Sequence, residues 1–211
     1  MIVSHSQKFI FIHIEKNAGT SITRTLDNYM TYKDLILGCS PFGEGIQPFY
    51  KEKYGVNKHS NAIDVKSLVG KQVWNDYFSF SFVRNPWDRV VSLYTWCRNS
   101  KHKLPICQEA INSKSFSDFI KSKCFSELPQ QLDYISDTEG NIIVNFVGRQ
   151  EFVQRDFSYI CGKIGIDNLD LHAANSSNRN KSYQDYYNND RDIEIIHSKF
   201  FSDVQAFNYR F

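Results

Sequence analysis

The residues best suited to chemistry gather at two predicted strand-to-helix turns. At the first, Glu15-Lys16-Asn17-Ala18-Gly19-Thr20-Ser21 follows the run Lys8 to Ile14 (KFIFIHI) and precedes Ile22, Leu26 and Tyr29 at helical spacing. A helix N-terminus presents unpaired backbone N–H groups and partial positive charge, so Lys16, Thr20 and Ser21 placed there build a phosphate cradle. Gly19 is expected to let the backbone approach the anion closely. The turn is not the G-x-x-x-x-G-K-[ST] loop: its lysine precedes its one glycine. Neither predicted strand end, at Ile14 or at Val83, supplies the aspartate that would hold magnesium in a nucleoside-triphosphate hydrolase. An ordinary N-terminal cap with an exposed lysine fits the same residues.

The second turn follows Tyr77 to Val83 (YFSFSFV). Arg84 stands at the carboxyl end of that strand, where open α/β sheets bind ligands. Asn85-Pro86 reads as an N-cap with proline at the first helical position, and Asp88 lies in the first turn, where the helix dipole favours a carboxylate. Ser92 follows Arg84 by about two helical turns. An arginine fork plus a hydroxyl suits a phosphate monoester. The alternative is a structural Arg84–Asp88 ion pair with Ser92 facing solvent.

The elements that must position these groups are legible around them. A near-continuous β-branched and aromatic run such as Lys8 to Ile14 marks a strand buried on both faces. Two strand-turn-helix units predict an α/β fold with a central parallel sheet flanked by helices. Ile142 to Val147 is a further strand candidate, Ser115 to Lys121 a short helix capped by Ser115 with Asp118, and Val153 to Ile164 a helix stopped by Gly165. Asp192 to Phe207 carries Ile193, Ile196, Phe200, Val204 and Phe207 on one face and predicts a final packing helix. Gly38 to Pro48 (GCSPFGEGIQP) predicts a loop, long enough to form part of an acceptor wall together with Ser100 to Ser113.

Composition sets the limits. The 211 residues favour one domain, 1–211, able to bury roughly 70% of the unfolded chain's surface. With 17 Phe, 12 Tyr and 3 Trp the chain has ample apolar mass to order itself. A net charge of +2 argues against a nucleic-acid binder, so an anion must be met locally. The five cysteines are odd in number and dispersed, with no C-x-x-C pair, which predicts a reducing compartment and no zinc site. No apolar stretch reaches membrane-spanning length, so the expectation is a cytoplasmic protein with no transmembrane segment.

Taken together, the turns resemble a known pattern. Phe11 to Ile22 (FIHIEKNAGTSI) is similar to the 5′-phosphosulfate-binding loop of sulfotransferases, and Phe82 to Tyr94 (FVRNPWDRVVSLY) to their 3′-phosphate-binding motif. The closest pattern is that of the carbohydrate sulfotransferases of the heparan 2-O-sulfotransferase type and their bacterial homologues, the sulfotransferase family 2 group. The resemblance extends through Lys58 to Ala62, Phe146 to Glu151 and a closing stretch from Leu171 to Tyr209. It implies a three-layer P-loop-like fold, the donor 3′-phosphoadenosine-5′-phosphosulfate, the product adenosine 3′,5′-bisphosphate, and no metal. It further implies transfer of the sulfuryl group to a hydroxyl of a carbohydrate or glycoconjugate. Lys16 would then neutralise the departing 5′-phosphate, with Asn17, Ala18, Gly19, Thr20 and Ser21 holding it. Arg84 and Ser92 would read the 3′-phosphate. Separately from the resemblance, Arg179 in the polar stretch Asn175 to Ser182 is a candidate to close over that phosphate, the alternative being a plain loop. Of the six histidines, His59 falls where these enzymes place a basic histidine and is the expected general base. His13 is expected to be a hydrogen-bonded core residue.

The chain departs from the pattern at Glu15, where relatives often have proline, and at Asn17 and Ala18, which replace Thr and Gly. Glu15 adds a negative charge beside a phosphate site, or an alternative base. The absence of the anchor found in Golgi relatives favours a bacterial cytoplasmic enzyme. Two rivals remain: a small-molecule kinase using the same cradle, and a catalytically inactive nucleotide-binding protein.

Overall fold

The computed structural model describes residues 1–166, 169–171 and 181–211. In chain order the elements are β1 (Ile2–Ser4), β2 (Phe9–Ile12), α1 (Gly19–Asp27), β3 (Leu35–Ile36), α2 (Pro41–Tyr54), α3 (Ala62–Val69), α4 (Lys71–Asp76) and β4 (Phe78–Val83). Then follow α5 (Pro86–Asn99), α6 (Pro105–Asn112), α7 (Phe116–Phe119), α8 (Lys123–Ser126), β5 (Phe146–Arg149), α9 (Val153–Ile164), α10 (Asp190–Lys199) and α11 (Phe201–Phe207). They form two compact units, Met1–Val83 with Gln131–Asn175, and Arg84–Gln130 with Ser176–Phe211.

The first unit is built on a sheet of strand order β3-β1-β2-β4-β5. Its heart is parallel, as the sequence predicts: β2 pairs with β4 (Phe11 opposite Phe80) and β4 with β5 (Val83 opposite Arg149). The edge differs, because β1 pairs antiparallel with both β2 and β3, making the sheet mixed. Three residues, Ile2-Val3-Ser4, are too short to show a period, so β1 carries no signal in the sequence. The alternation FSFSFV in β4 puts Phe80 and Phe82 on one face with Phe9, Phe11 and Ile2. There they meet Ile22 and Leu26 of α1 and Phe157, Ile160 and Ile164 of α9. The serines of the other face are buried too. Ser81 Oγ donates to the Ile12 carbonyl at 2.8 Å, and Ser79 Oγ donates to Asn145 Oδ1 at 2.8 Å. Small hydroxyls that bond to neighbouring chain let this strand be covered on both faces without an orphaned polar group.

Three further expectations in this unit need correction. Gly38 to Pro48 is not a loop from end to end: α2 begins at Pro41 and runs through Pro48 to Tyr54. Ser40 caps it, accepting from the Gly43 N–H at 3.1 Å, and Pro41 occupies the first turn, where its missing N–H is no loss. Gly43 is demanded by packing, since a Cβ there would lie 2.7 Å from the Gly38 carbonyl oxygen. The residues that look like breakers are cap residues and close-contact residues. Second, the strand expected at Ile142 to Val147 is shifted to Phe146–Arg149, and Ile142 makes only an isolated bridge to Ser136. Third, Tyr29 lies past the end of α1 and is partly exposed.

The second unit is helical. α5 lies at its centre: Trp87 Nε1 donates to the Ile193 carbonyl at 3.0 Å, Tyr187 Oη donates to the Trp87 carbonyl at 2.9 Å, and the Tyr94 ring packs 5.3 Å from Phe116 and 5.2 Å from Phe119. The predicted final helix is two helices, α10 and α11, broken at Phe200 (φ −112°, ψ 34°). That ring is buried against Phe125, 6.1 Å away, with the Arg89 guanidinium 5.8 Å from its centroid. Side-chain packing at the join overrides a helical period that continues in the sequence.

Candidate active site

In the first unit the chain leaves β2 through buried His13 and Ile14 and enters α1 by way of Glu15 to Ala18. Lys16 (φ 69°) and Ala18 (φ 62°) are both left-handed, whereas Asn17 between them and Gly19 after them are not. Such alternation turns successive backbone N–H groups toward one concavity, an anion-binding nest. Ala18 is also the N-cap of α1, so the cap residue offers no side-chain acceptor to the first turn, and no acidic residue lies there. The cradle is thus a helix N-terminus that its own N-cap side chain does not close.

Two interior contacts hold the loop in this shape. The Asn17 side chain points inward, Nδ2 donating to the Phe82 carbonyl and to Gln131 Oε1, both at 2.8 Å. Of the groups expected to hold a phosphate, Asn17 therefore offers its backbone, not its amide. Gly19 is required for a reason the sequence does not reveal. A Cβ there would overlap the His13 ring, so the glycine admits His13 beneath the helix start. Thr20 Oγ1 lies 4.0 Å from Cys39 Sγ, and Ser21 is buried.

His59 lies beside this loop. Its Nδ1 is 3.0 Å from the His13 carbonyl oxygen, so in the neutral ring Nδ1 carries the proton and Nε2 the lone pair. Nε2 is 3.7 Å from Glu15 Oε1, and the His13 ring stands edge-on at 4.7 Å. The segment that presents His59 is fixed by local polar bonds, His59 N–H to Asn57 Oδ1 at 2.7 Å and Asn57 N–H to Ser60 Oγ at 2.8 Å. Next to it, Lys58 Nζ pairs with Glu44 Oε1 at 3.1 Å. Burial lowers the pKa of His59 below its ordinary value, with the Glu15 carboxylate and the His13 carbonyl pulling the other way. Burial lowers His13 further still. Both rings are neutral near pH 7, and His59 has the lone pair of a base. Gln131, the anchor of Asn17, went unpredicted, because nothing in the sequence links positions separated by 114 residues.

The second turn is built differently. Asn85 caps α5, its Oδ1 accepting from the Trp87 N–H at 3.0 Å and its Nδ2 donating to the Arg210 carbonyl at 2.8 Å. Arg84 is buried and held by Asp88, with Nε at 2.8 Å and an Nη at 2.7 Å from the same oxygen. The structural ion pair considered as the alternative is therefore formed. Ser92 is buried along α5, not facing solvent. Arg179 lies outside the described residues. Among the described residues no group of His, Cys, Asp and Glu is arranged to hold a metal, and no helix is long and apolar enough to cross a membrane.

Across residues 1–210 the sequence matches the model of the sulfotransferase family. The chain belongs to the sulfotransferase family. An uncharacterized protein of Archaeoglobus fulgidus is 28% identical over 120 residues, which span 55% of this sulfotransferase and 92% of that protein. The crystal structure of mouse sulfotransferase SULT7A1 complexed with PAP is similar with a TM-score of 0.55 and 16% identity, over 94% of this chain and 86% of that one. At that identity the likeness shows the fold: an α/β, three-layer, P-loop-like architecture, here with an antiparallel edge. Within a sulfotransferase, an anion nest beside a lone-pair nitrogen has the parts for group transfer from an anionic donor to a hydroxyl.

Proposed function

We propose that this sulfotransferase, with residues 1–211 as a single domain, moves the sulfuryl group of 3′-phosphoadenosine-5′-phosphosulfate to a hydroxyl of a carbohydrate or glycoconjugate. The observation that carries the reading is the doubly left-handed turn Lys16 to Ala18 at the start of α1 with His59 Nε2 beside it. The SULT7A1 structure, described as complexed with PAP, supports the choice of donor. Lys16 and the N–H groups of the α1 terminus take the charge that grows on the 5′-phosphate as its bond to sulfur breaks. The acceptor oxygen bonds to sulfur on the opposite side, and its proton passes to His59 Nε2. The His13 carbonyl holds the ring tautomer that keeps Nε2 open, and the Glu15 carboxylate stabilises the imidazolium once formed. Arg84, its guanidinium plane set by Asp88, reads the 3′-phosphate together with Ser92, and Arg179 is assigned to the same group. The carbohydrate acceptor rests on the motif resemblance.

Isothermal calorimetry tests the donor. Wild type should bind adenosine 3′,5′-bisphosphate far more tightly than AMP, and Arg84→Ala should erase the preference. Equal binding of the two nucleotides by wild type sinks the assignment.

A further inference from the structure

Cys97 and Cys107 are separated by ten residues and give no signal in the sequence, which shows only dispersed cysteines. In the second unit their sulfurs lie 2.7 Å apart, closer than unbonded sulfurs pack, and both residues are fully buried. Cys97 is in the last turn of α5 and Cys107 in the first turn of α6. The connection between these helices is Ser100 to Leu104, in which Lys101 to Leu104 are exposed. Ser100 Oγ reaches both sides of the pair, donating to the Cys97 carbonyl at 3.3 Å and lying 3.8 Å from Cys107 Sγ. The other three cysteines have no such neighbour among the described residues: Cys39 lies near His13 and Thr20, Cys124 is bonded to Glu109, and burial raises Cys161 to about 11.

We propose that Cys97 and Cys107 are a disulfide-forming site, whose co-reactant is a small disulfide such as oxidised glutathione. A disulfide holds its two sulfurs at ~2.05 Å, and sulfurs already 2.7 Å apart at helix ends joined by a short connection need little movement to reach it. The exchange balances as two steps. One cysteine thiolate attacks a sulfur of oxidised glutathione, forming a mixed disulfide and releasing one glutathione thiolate. The second cysteine thiolate then attacks the protein-side sulfur, forming the Sγ–Sγ bond and releasing the second glutathione. Two protein thiols are oxidised and one glutathione disulfide is reduced. The exposed connection beside the pair carries Lys101 and Lys103, whose charge suits an anionic disulfide reagent. Access comes from opening of the exposed connection. The bond would lock the C-terminal turn of α5 to α6 and close a loop over Arg98 to Ile106.

The whole protein, equilibrated in a series of reduced-to-oxidised glutathione mixtures, alkylated and mapped as non-reduced peptides, tests the site. The expected map joins the Cys97 and Cys107 peptides at the oxidising end and leaves Cys39, Cys124 and Cys161 alkylated. The melting temperature should rise by roughly 5–10 °C on oxidation, the gain of a short closed loop in a domain of this size. Cys107→Ala should lose both the joined peptide and the rise. Cys97 and Cys107 both alkylated at the oxidising end, or each joined to another partner, overturns the proposal. So does an equal thermal rise in Cys107→Ala. The wild-type map decides without any variant.

Discussion

The two strand-to-helix turns use opposite solutions to the same problem. At α1 the N-cap is Ala18, whose side chain makes no cap bond, and no acid lies in the first turn. At α5 the N-cap is Asn85, bonded to the Trp87 N–H, and Asp88 already complements the dipole. On the proposed reading the first turn works through its backbone, with a lysine added. The second has a capped backbone and, on the same reading, works through one side chain, Arg84, held by Asp88. We read the first as the turn where charge changes during reaction and the second as the turn that recognises. Changes at the first should appear in turnover, and changes at the second in affinity.

The largest effect expected is at His59. Removing a positioned general base lowers turnover by ~10²–10⁴-fold. His59→Ala should do so while leaving affinity for adenosine 3′,5′-bisphosphate unchanged, read by labelled-sulfate transfer and calorimetry on the same sample. Loss of nucleotide binding with normal turnover per bound donor would contradict the division. Arg84→Ala should show the reverse pattern. Charge-assisted hydrogen bonds contribute about 1.5–3 kcal/mol, so affinity for the bisphosphate should fall by roughly 10–100-fold, with turnover at saturating donor little altered. An Arg84→Ala enzyme whose turnover falls as far as its affinity would erase the contrast between the turns.

How much of this was legible follows from the range of each interaction. Lys8 to Ile14 and Tyr77 to Val83 announced the parallel strands because a buried strand must be apolar along its own length. Asn85-Pro86 announced the start of α5 because capping is settled within a few residues. The Arg84–Asp88 pair was open to reading as well, since the two lie one helical turn apart. What escaped is long-range or depends on shape. Asn17 is tied to Gln131 across 114 residues. Gly19 is dictated by the His13 ring, although the sequence suggests an approaching anion. Phe200 breaks the last helix by where its ring must go. Gly38 to Pro48 misled because Ser40, Pro41 and Gly43 serve a helix start, and composition alone does not distinguish that from a loop.

A pH profile sharpens the first turn. His59 must be neutral to accept a proton, and its pKa lies below the ordinary 6.5 because burial outweighs the opposing pull of Glu15. Transfer should therefore hold steady above about pH 6.5 and fall as pH drops through the lowered value. The other charges acting on the ring are the Met1 α-amino group, whose pKa burial lowers to about 5, and Lys58, which pairs with Glu44. Removing a negative charge makes His59 harder to protonate. In Glu15→Gln the acidic limb should move to lower pH, and the plateau should drop because the imidazolium formed in transfer loses its carboxylate. The shift amounts to a few-fold at pH values on the limb. A limb that stays in place while the plateau falls would mean that Glu15 acts on the donor and not on His59.

The smallest effect concerns the shape of the cradle itself. Ala18 is left-handed, a conformation that costs an L-residue with a Cβ roughly 1–2 kcal/mol, and as an N-cap it is among the poorer choices. Ala18→Gly removes both penalties. Against it stand the methyl that packs on the core cluster, about 0.8 kcal/mol if fully buried but only partly so here, and the greater freedom of glycine in the unfolded chain, about 0.5–1 kcal/mol. The balance favours the variant by about 0.5–1 kcal/mol, or a melting temperature higher by roughly 2 °C. Asn85→Gly in the second turn should go the other way, because it deletes the bonds to the Trp87 N–H and the Arg210 carbonyl. If thermal unfolding shows the two substitutions shifting stability in the same direction, the turns do not differ in the way their caps indicate. A gain at Ala18 and a loss at Asn85 would mean that strain is stored in the turn that works through its backbone, and that the capped turn has none to release.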